Sequence, residues 1–154
     1  MRLLLLGCTG FVGRELVPAL LEANHQLTLV SRRLARGYEA ERADGRLKWL
    51  QLDPSKSVSW QTPELVKALS TSDAVVNLAG EPIAEKRWTV PHRKVLEDSR
   101  LETTRFLVDA MVALASPPAV LINASAIGFF GTSPTAKFVE SSPAGADFLA
   151  SLCQ

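Results

Sequence analysis

The sequence predicts an α/β fold with a doubly wound parallel sheet, about five strands in the order 3-2-1-4-5, and helices on both faces. Three observations predict this fold. Short apolar runs alternate with segments of helical periodicity throughout the 154 residues. The first apolar run ends in a glycine-rich turn that opens a helix. No internal repeat or low-complexity segment interrupts the alternation. Since helices separate the strands, we expect right-handed crossovers between parallel strands.

Several apolar runs have the length of buried strands. The first is a run of leucines that is too short for a signal peptide or a membrane helix. The third is closed by Asp53-Pro54, a pair that is typical of a turn. The runs predict strands at residues 2–6, 26–31, 47–52, 73–78 and 119–124.

Helices are predicted where apolar residues recur three and four positions apart. The first helix follows the glycine turn and contains Pro18, which should bend it. Another begins at Pro63, with Thr62 as its N-cap, and ends at Leu69. The segment 89–115 is helical in its second half, while its first half is a separate helix or a loop. The remaining segments are predicted to be loops at 32–46 and 128–143 and the opening of a helix at 144–154.

Composition limits the classes of partner. The formal net charge of +1 gives no electrostatic reason to expect binding to nucleic acid or to an anionic membrane surface. The two cysteines, Cys8 and Cys153, have neither the number nor the spacing of a metal site or a disulfide framework. No targeting segment precedes the first strand, so the cytoplasm is the expected location. We therefore expect no metal, no nucleic acid and no membrane partner.

The strongest chemical signal is the glycine turn after the first strand. Gly7 permits a tight exit from the strand, Gly10 lets the backbone approach a pyrophosphate, and Gly13 lets the helix pack closely. The helix then presents unpaired N–H groups and a partial positive charge to the phosphates. A glycine-rich turn without a ligand is the alternative, which the position between a strand and a helix disfavours. The residues predicted to hold the pyrophosphate are Gly7, Thr9, Gly10, Phe11, Val12 and Gly13.

Four short stretches accompany the glycine turn in a recognisable order. They are LVSR at 29–32, VNLAGEPI at 76–83, KRW at 86–88 and SRLETT at 99–104. With them the chain resembles the extended branch of the short-chain dehydrogenase/reductase superfamily, and most closely its YfcH-like (SulA-homologue) family of NAD-dependent epimerases. The resemblance implies a Rossmann-type fold, a nicotinamide dinucleotide as cofactor, and oxidoreductase or nucleotide-sugar epimerase activity on a small molecule.

The end of the second strand predicts NADP(H) rather than NAD(H). In NAD-specific domains an acidic residue ends this strand and binds the ribose 2′-hydroxyl, whereas this strand ends in Ser31-Arg32-Arg33. A guanidinium can pair with a 2′-phosphate through two hydrogen bonds. Arg32 is therefore the predicted phosphate contact, with Ser31 beside it. The alternative is that Arg32, Arg33 and Arg36 form only a solvated basic loop.

Other strand ends are predicted to meet the adenosine part of the cofactor. Asp53 either accepts a hydrogen bond from the adenine amino group or caps the turn in which it lies. Leu78, Ala79 and Gly80 end the fourth strand, where small residues let the backbone pass close to the adenine ribose. The family resemblance adds Arg100 as a further contact to the cofactor.

The resemblance also implies a Ser or Thr after the fifth strand and a Tyr-x-x-x-Lys pair that moves the proton. Ser125 is placed to polarise a substrate carbonyl, and a polar strand end is the alternative. The pair itself is absent. The only tyrosine is Tyr38, with Arg42 four positions later, and the expected positions hold Leu149 and Cys153.

Two classes of function follow. The first is the NADP(H)-binding domain of an oxidoreductase or nucleotide-sugar epimerase whose small-molecule substrate is unknown. The second is a non-catalytic NADP(H)-binding sensor or assembly module. We expect residues 1–154 to form one NADP(H)-binding domain that ends before a C-terminal substrate lobe, because the resembled family continues into such a lobe. An apolar face that this lobe would cover predicts a homo-oligomer.

Overall fold

A five-stranded parallel sheet organises residues 1–123. The computed structural model describes residues 1–33 and 38–154, which divide into two compact units, 1–123 and 124–154. The strands are β1 (Arg2–Leu6), β2 (Gln26–Ser31), β3 (Leu47–Gln51), β4 (Ala74–Asn77) and β5 (Val120–Asn123). Their order is β3-β2-β1-β4-β5 and each pairing is parallel, which confirms the predicted topology.

The central strand β1 is buried on both faces because its successive side chains point to opposite sides of the sheet. Leu3 and Leu5 belong to one apolar cluster, together with Val17 from the first helix. Leu4 and Leu6 belong to a second cluster on the other face. Full burial of one leucine contributes about 1.5–3 kcal/mol to stability. The leucine run therefore anchors the sheet to the helices on both of its sides.

The described residues contain five α-helices, four of them in the same unit as the sheet. The first packs on one face through Val17 and Leu21, while the third and fourth pack on the other through Leu65, Leu69 and Leu107. Short 3-10 helices occur at Ser57–Gln61 and Ile127–Phe130. The α-helices are α1 (Phe11–Glu22), α2 (Glu39–Ala43), α3 (Pro63–Thr71), α4 (Val90–Val112) and α5 (Phe148–Cys153).

The prediction of a loop over residues 32–46 was wrong in part, because α2 lies within it. This helix has five residues and buries none of them. A helix without a buried face leaves no apolar period in the sequence. Residues 34–37, among them Arg36, lie outside the described residues.

The first half of the segment 89–115 is neither a separate helix nor a loop, since α4 runs without a break from Val90 to Val112. Thr89 caps it by accepting a hydrogen bond from the His92 main-chain nitrogen at 3.3 Å. Pro91 lies in the first turn, where its missing N–H costs nothing. Four of its 23 residues are buried, so its amphipathic pattern is weak.

Smaller differences concern the ends of elements. Three predicted strands extend one residue beyond the observed ones at one or both ends. Thr62 is at the N-cap position of α3 as predicted, but its side chain does not cap the helix. Its hydroxyl instead donates to the Ser59 carbonyl oxygen at 2.7 Å. Pro18 lies inside α1, which continues to Glu22.

Residues 124–154 form the second unit around α5. Asp147 caps this helix by accepting a hydrogen bond from the Ala150 main-chain nitrogen at 2.9 Å. The Phe130 ring stacks on the Phe138 ring with centroids 5.3 Å apart. Gly145 lies so close to Gly131 that a Cβ atom would come within 2.6 Å of the Gly131 nitrogen. None of the helices described in either unit has the length and apolar character that a membrane span requires.

Candidate nucleotide-binding site

Apart from Arg100 on α4, the predicted binding residues of the first unit lie at or just after the carboxyl ends of strands, at one edge of the sheet. Leu6 of β1 pairs with Val30 of β2 and with Asn77 of β4, so the segments after these strands leave the sheet side by side. The chain crosses from β1 to β2 on one side and reaches β4 on the other. Such a reversal of strand order opens a crevice at the carboxyl edge, where ligands bind in open α/β sheets.

Gly7 and Gly13 are glycines because the fold leaves no room for a side chain. Gly7 has a φ of +74°, and a Cβ there would lie 2.5 Å from the Ala79 Cα. A Cβ on Gly13 would lie 2.1 Å from the Cys8 carbonyl oxygen. The two residues therefore let the turn after β1 approach the segment after β4 and let α1 fold back on the turn.

Gly10 differs from both. Its φ is −81°, and among the described residues a Cβ added there would lie near only the Gly7 carbonyl oxygen, at an ordinary 3.6 Å. No side chain of the described residues caps α1 at this N-cap position, and the first turn of α1 carries no acidic residue. The main-chain N–H groups of this turn are thus available to an anion. Phe11 and Val12, which follow, have exposed side chains.

The turn also holds Cys8, whose side chain is buried. Burial raises the pKa of the Cys8 thiol to about 11. A thiol that stays protonated at neutral pH is a poor nucleophile, so this cysteine is a packing residue. Thr9 is half-buried between Cys8 and Gly10.

The two predicted binding residues at the end of β2, Ser31 and Arg32, differ in burial. Ser31 is buried, and its hydroxyl accepts a hydrogen bond from the Trp49 indole at 3.0 Å. Arg32 extends outward with 59% of its side chain exposed. Its Nη2 atom lies 3.1 Å from the Oε2 atom of Glu81. The neighbouring Arg33 is exposed.

Glu81, which the sequence reasoning did not assign to the site, is the charged centre of this edge. Its side chain is only 10% exposed, and its Oε1 atom lies 3.2 Å from the Lys86 Nζ atom. The hydrogen bond from Arg32, helped by the one from Lys86, lowers the pKa of the Glu81 carboxyl against the opposing effect of burial. A charged group that is buried among partners is a signal that appears only in three dimensions, because Arg32 and Glu81 are 49 positions apart.

The segment after β4 packs against α4. Asn77 orders its start by accepting a hydrogen bond from the Ala79 main-chain nitrogen at 3.1 Å. Gly80 lies over the Arg100 guanidinium, where a Cβ would come within 2.9 Å of the Arg100 Cζ atom. Arg100 Nη1 donates to the Glu81 carbonyl oxygen at 3.1 Å. Arg100 therefore braces the segment that contains Leu78, Ala79 and Gly80.

Asp53, after β3, caps the turn in which it lies, which is one of its two predicted roles. Its Oδ1 atom accepts hydrogen bonds from the Ser55 main-chain nitrogen at 3.0 Å and from the Ser55 hydroxyl at 2.8 Å. The Asp53 carbonyl oxygen accepts from the Ser59 hydroxyl at 2.7 Å. These bonds use one carboxylate oxygen for the turn.

The predicted catalytic residue, Ser125, lies in the second unit, where it is exposed shortly after β5. Leu149 and Cys153, at the positions expected for the Tyr-x-x-x-Lys pair, are one helical turn apart on α5. Leu149 packs on Gly128, where an added Cβ would lie 3.3 Å from the Leu149 Cβ. Within residues 1–33 and 38–154, no three His, Cys, Asp or Glu side chains are grouped to hold a metal ion.

The sheet order and the glycine turn at its switch point define the chain as a protein with a Rossmann-type fold. The sequence model of the NAD dependent epimerase/dehydratase family matches residues 3–147. The chain belongs to this family.

Relatives of known sequence agree with this assignment. The chain is 36% identical to the chloroplastic SDR39U1 homologue of Arabidopsis thaliana, with 96% of this chain and 41% of that protein covered. It is 35% identical to the human epimerase family protein SDR39U1, with 99% and 46% covered. The chain thus spans less than half the length of these curated relatives.

Solved structures of related proteins have the same fold over this chain. The human SDR39U1 (isoform2) structure with NADPH is similar with a TM-score of 0.74 and 33% identity, covering 99% of this chain and 46% of that chain. Uronate dehydrogenase from Agrobacterium tumefaciens has a TM-score of 0.73 at 21% identity, covering 99% of this chain and 52% of that one. The second likeness concerns the fold alone.

Proposed function

We propose that the carboxyl edge of the sheet binds NADP(H), and that residues 1–154 are the cofactor-binding domain of an NADP(H)-dependent reductase or nucleotide-sugar epimerase. The cofactor, when bound, would donate a hydride in a reduction, or accept and return one in an epimerisation. The part of the relatives' length that this chain does not span would then carry most of the substrate site. Within the family we assign the chain to the YfcH-like branch on the stretches at 76–83 and 99–104.

The observation that carries the proposal is the side chain of Arg32. It follows β2, where an NAD-specific domain would carry an acidic residue, and it is 59% exposed at the crevice edge. Its contact with Glu81 uses Nη2 alone. The other N–H groups of a guanidinium can donate to a phosphate. The NADPH in the structure of the 33% identical human relative supports this choice of cofactor.

The remaining residues fit the other parts of the cofactor. Open space at Gly10 and the uncapped first turn of α1 suit a pyrophosphate. The close approach of Gly7 to Ala79 holds the turn after β1 and the segment after β4 side by side at the carboxyl edge. We assign pyrophosphate binding to Gly7, Thr9, Gly10, Phe11, Val12 and Gly13, the 2′-phosphate to Ser31 and Arg32, and the adenosine to Asp53, Leu78, Ala79, Gly80 and Arg100.

Titration calorimetry with NADPH and NADH at one salt concentration tests the proposal. We expect tighter binding of NADPH, and we expect Arg32→Asp to reduce or reverse this preference, with a loss of about 1.5–3 kcal/mol for NADPH. Arg105→Asp is the matched control, because Arg105 is also exposed and ion-paired, with Glu102 on α4. Equal affinities for the two cofactors in the wild-type protein would refute the proposal.

A second candidate is a non-catalytic NADP(H)-binding sensor or assembly module. The absence of a Tyr-x-x-x-Lys pair from the sequence favours it. In the catalytic alternative, Ser125 would donate a hydrogen bond to a substrate carbonyl. NADPH oxidation with a panel of carbonyl and nucleotide-sugar substrates separates the two, since turnover that is lost in Ser125→Ala supports the enzyme.

The setting of the protein belongs to the same proposal. We place it in the cytoplasm, as a homo-oligomer whose partners are the dinucleotide and a small-molecule substrate. Nucleic acid is not among the proposed partners, because a net charge of +1 gives no electrostatic attraction to it.

A further inference from the structure

A three-residue charge cluster joins the end of β2 to the segment after β4. The Glu81 carboxylate pairs through Oε2 with Arg32 at 3.1 Å and through Oε1 with Lys86 at 3.2 Å. The glutamate side chain is 10% exposed, whereas those of Arg32 and Lys86 are 59% and 61% exposed. Two outward cations therefore converge on one inward anion.

The backbone of Glu81 is fixed on both sides by α4. Its main-chain nitrogen donates to the Ser99 hydroxyl at 2.9 Å, and its carbonyl oxygen accepts from Arg100 Nη1 at 3.1 Å. The carboxylate is thus a fixed point from which two long side chains extend. An isolated surface lysine loses rotamer freedom when it binds a ligand. A lysine that is already paired with a fixed carboxylate has lost part of that freedom, so the entropy cost of binding is smaller.

The charges of the cluster do not cancel. One carboxylate against a guanidinium and an ammonium leaves a net charge of +1, carried by the two exposed groups. A single cation would neutralise the buried carboxylate, so the second one is in excess for the fold. Excess positive charge on preorganised donors is what a phosphate monoester dianion requires.

We propose that Lys86 is a second phosphate-binding cation of the site, and that Glu81 is the positioning residue that holds it beside Arg32 for the 2′-phosphate of NADP(H). This inference rests on the proposed function, in which Arg32 contacts that phosphate. It adds a specificity-determining residue from the segment after β4 to the one at the end of β2. The competing interpretation is that Lys86 only ties its own loop to Glu81.

Calorimetry with Lys86→Gln tests the role of the lysine. We expect NADPH affinity to fall about tenfold while NADH affinity changes less than about twofold, and Lys86→Arg to restore NADPH binding. Lys94→Gln is the matched control, because Lys94 is an exposed lysine paired with Asp98 at 3.0 Å. This control should leave both affinities unchanged. Lys86 is largely exposed, so its variants should fold, which circular dichroism would verify.

A double-mutant cycle with Glu81→Gln tests the positioning. If the carboxylate holds the lysine in place, Lys86→Gln should cost less than about threefold in NADPH affinity when Gln already replaces Glu81. An undiminished tenfold effect in that background would overturn the positioning role. An equal loss for NADPH and NADH, or no loss for either, would overturn the role of Lys86 in binding the phosphate.

The failure of this inference and that of the proposed function are distinguishable. Unchanged NADPH preference in Lys86→Gln, together with its loss in Arg32→Asp, overturns the inference and leaves the proposed function standing. A wild-type protein without NADPH preference overturns both.

Discussion

The three glycines of the turn after β1 are glycines for different physical reasons. Gly7 and Gly13 are required by the fold, since a Cβ at either position would come within 2.5 Å of backbone atoms. At Gly10 the backbone dihedrals suit any residue and the space for a side chain is open. The described fold therefore does not require glycine at this position, and the proposed pyrophosphate would supply a reason for it.

Gly10→Val should abolish cofactor binding and leave a folded protein. The valine side chain would occupy the space in which the pyrophosphate meets the backbone, while meeting no crowded protein atom. Circular dichroism would report the fold and calorimetry the affinity for NADPH. If the folded variant kept its affinity, the glycine turn would not be a phosphate-binding turn.

At the scale of elements, α1 and α4 hold the two neighbouring segments of the candidate site, the turn after β1 and the segment after β4, in different ways. The N-terminus of α1 folds back on the turn, which depends on the close approach at Gly13. Helix α4 braces the segment after β4 through Ser99 and Arg100, which bond the two sides of Glu81. The turn after β1 is thus set by backbone packing and the segment after β4 by side-chain hydrogen bonds.

Gly13→Ala should destabilise the protein itself. Its Cβ would lie 2.1 Å from the Cys8 carbonyl oxygen, so α1 or the turn must move. Overpacking of this kind costs about 1–3 kcal/mol. Urea denaturation would measure the free energy of unfolding, with Gly10→Ala as the control that adds the same methyl group in open space. Equal stability of the two variants would contradict the structural role of Gly13.

At the scale of the whole molecule, the sheet was predictable from sequence because its strands are short apolar runs, and the central strands β1, β2 and β4 are also largely buried. Leucine runs such as residues 3–6 leave a signal in the sequence that does not depend on distant partners. Helix α2 has no buried residue and leaves no such signal, and the first half of α4 buries only His92 and Leu96, which are too few for a helical period. Local composition therefore identified the apolar strands, including β5, in which none of the four residues is buried, and missed helical segments with few buried residues.

The candidate site divides along the same line. The glycine turn and the end of β2 are each one short stretch of sequence, so their residues could be predicted from the sequence alone. Glu81 and its partner Arg32 come from segments on different strands, and only the pairing of β1 with both β2 and β4 brings them together. A buried carboxylate between two cations cannot be distinguished in sequence from a surface glutamate.

The central claim is that the carboxyl edge of the sheet binds NADP(H) and that Arg32 contacts its 2′-phosphate. Phosphorus NMR of NADP⁺ titrated with the protein tests it most directly, because the 2′-phosphate and the pyrophosphate give separate resonances. We predict that both resonances shift with the wild-type protein, and that at saturation Arg32→Gln reduces the shift of the 2′-phosphate resonance while the shift of the pyrophosphate resonances remains. A response of the pyrophosphate without the 2′-phosphate in the wild-type protein would contradict the role of Arg32, and no response at either group would contradict the binding itself.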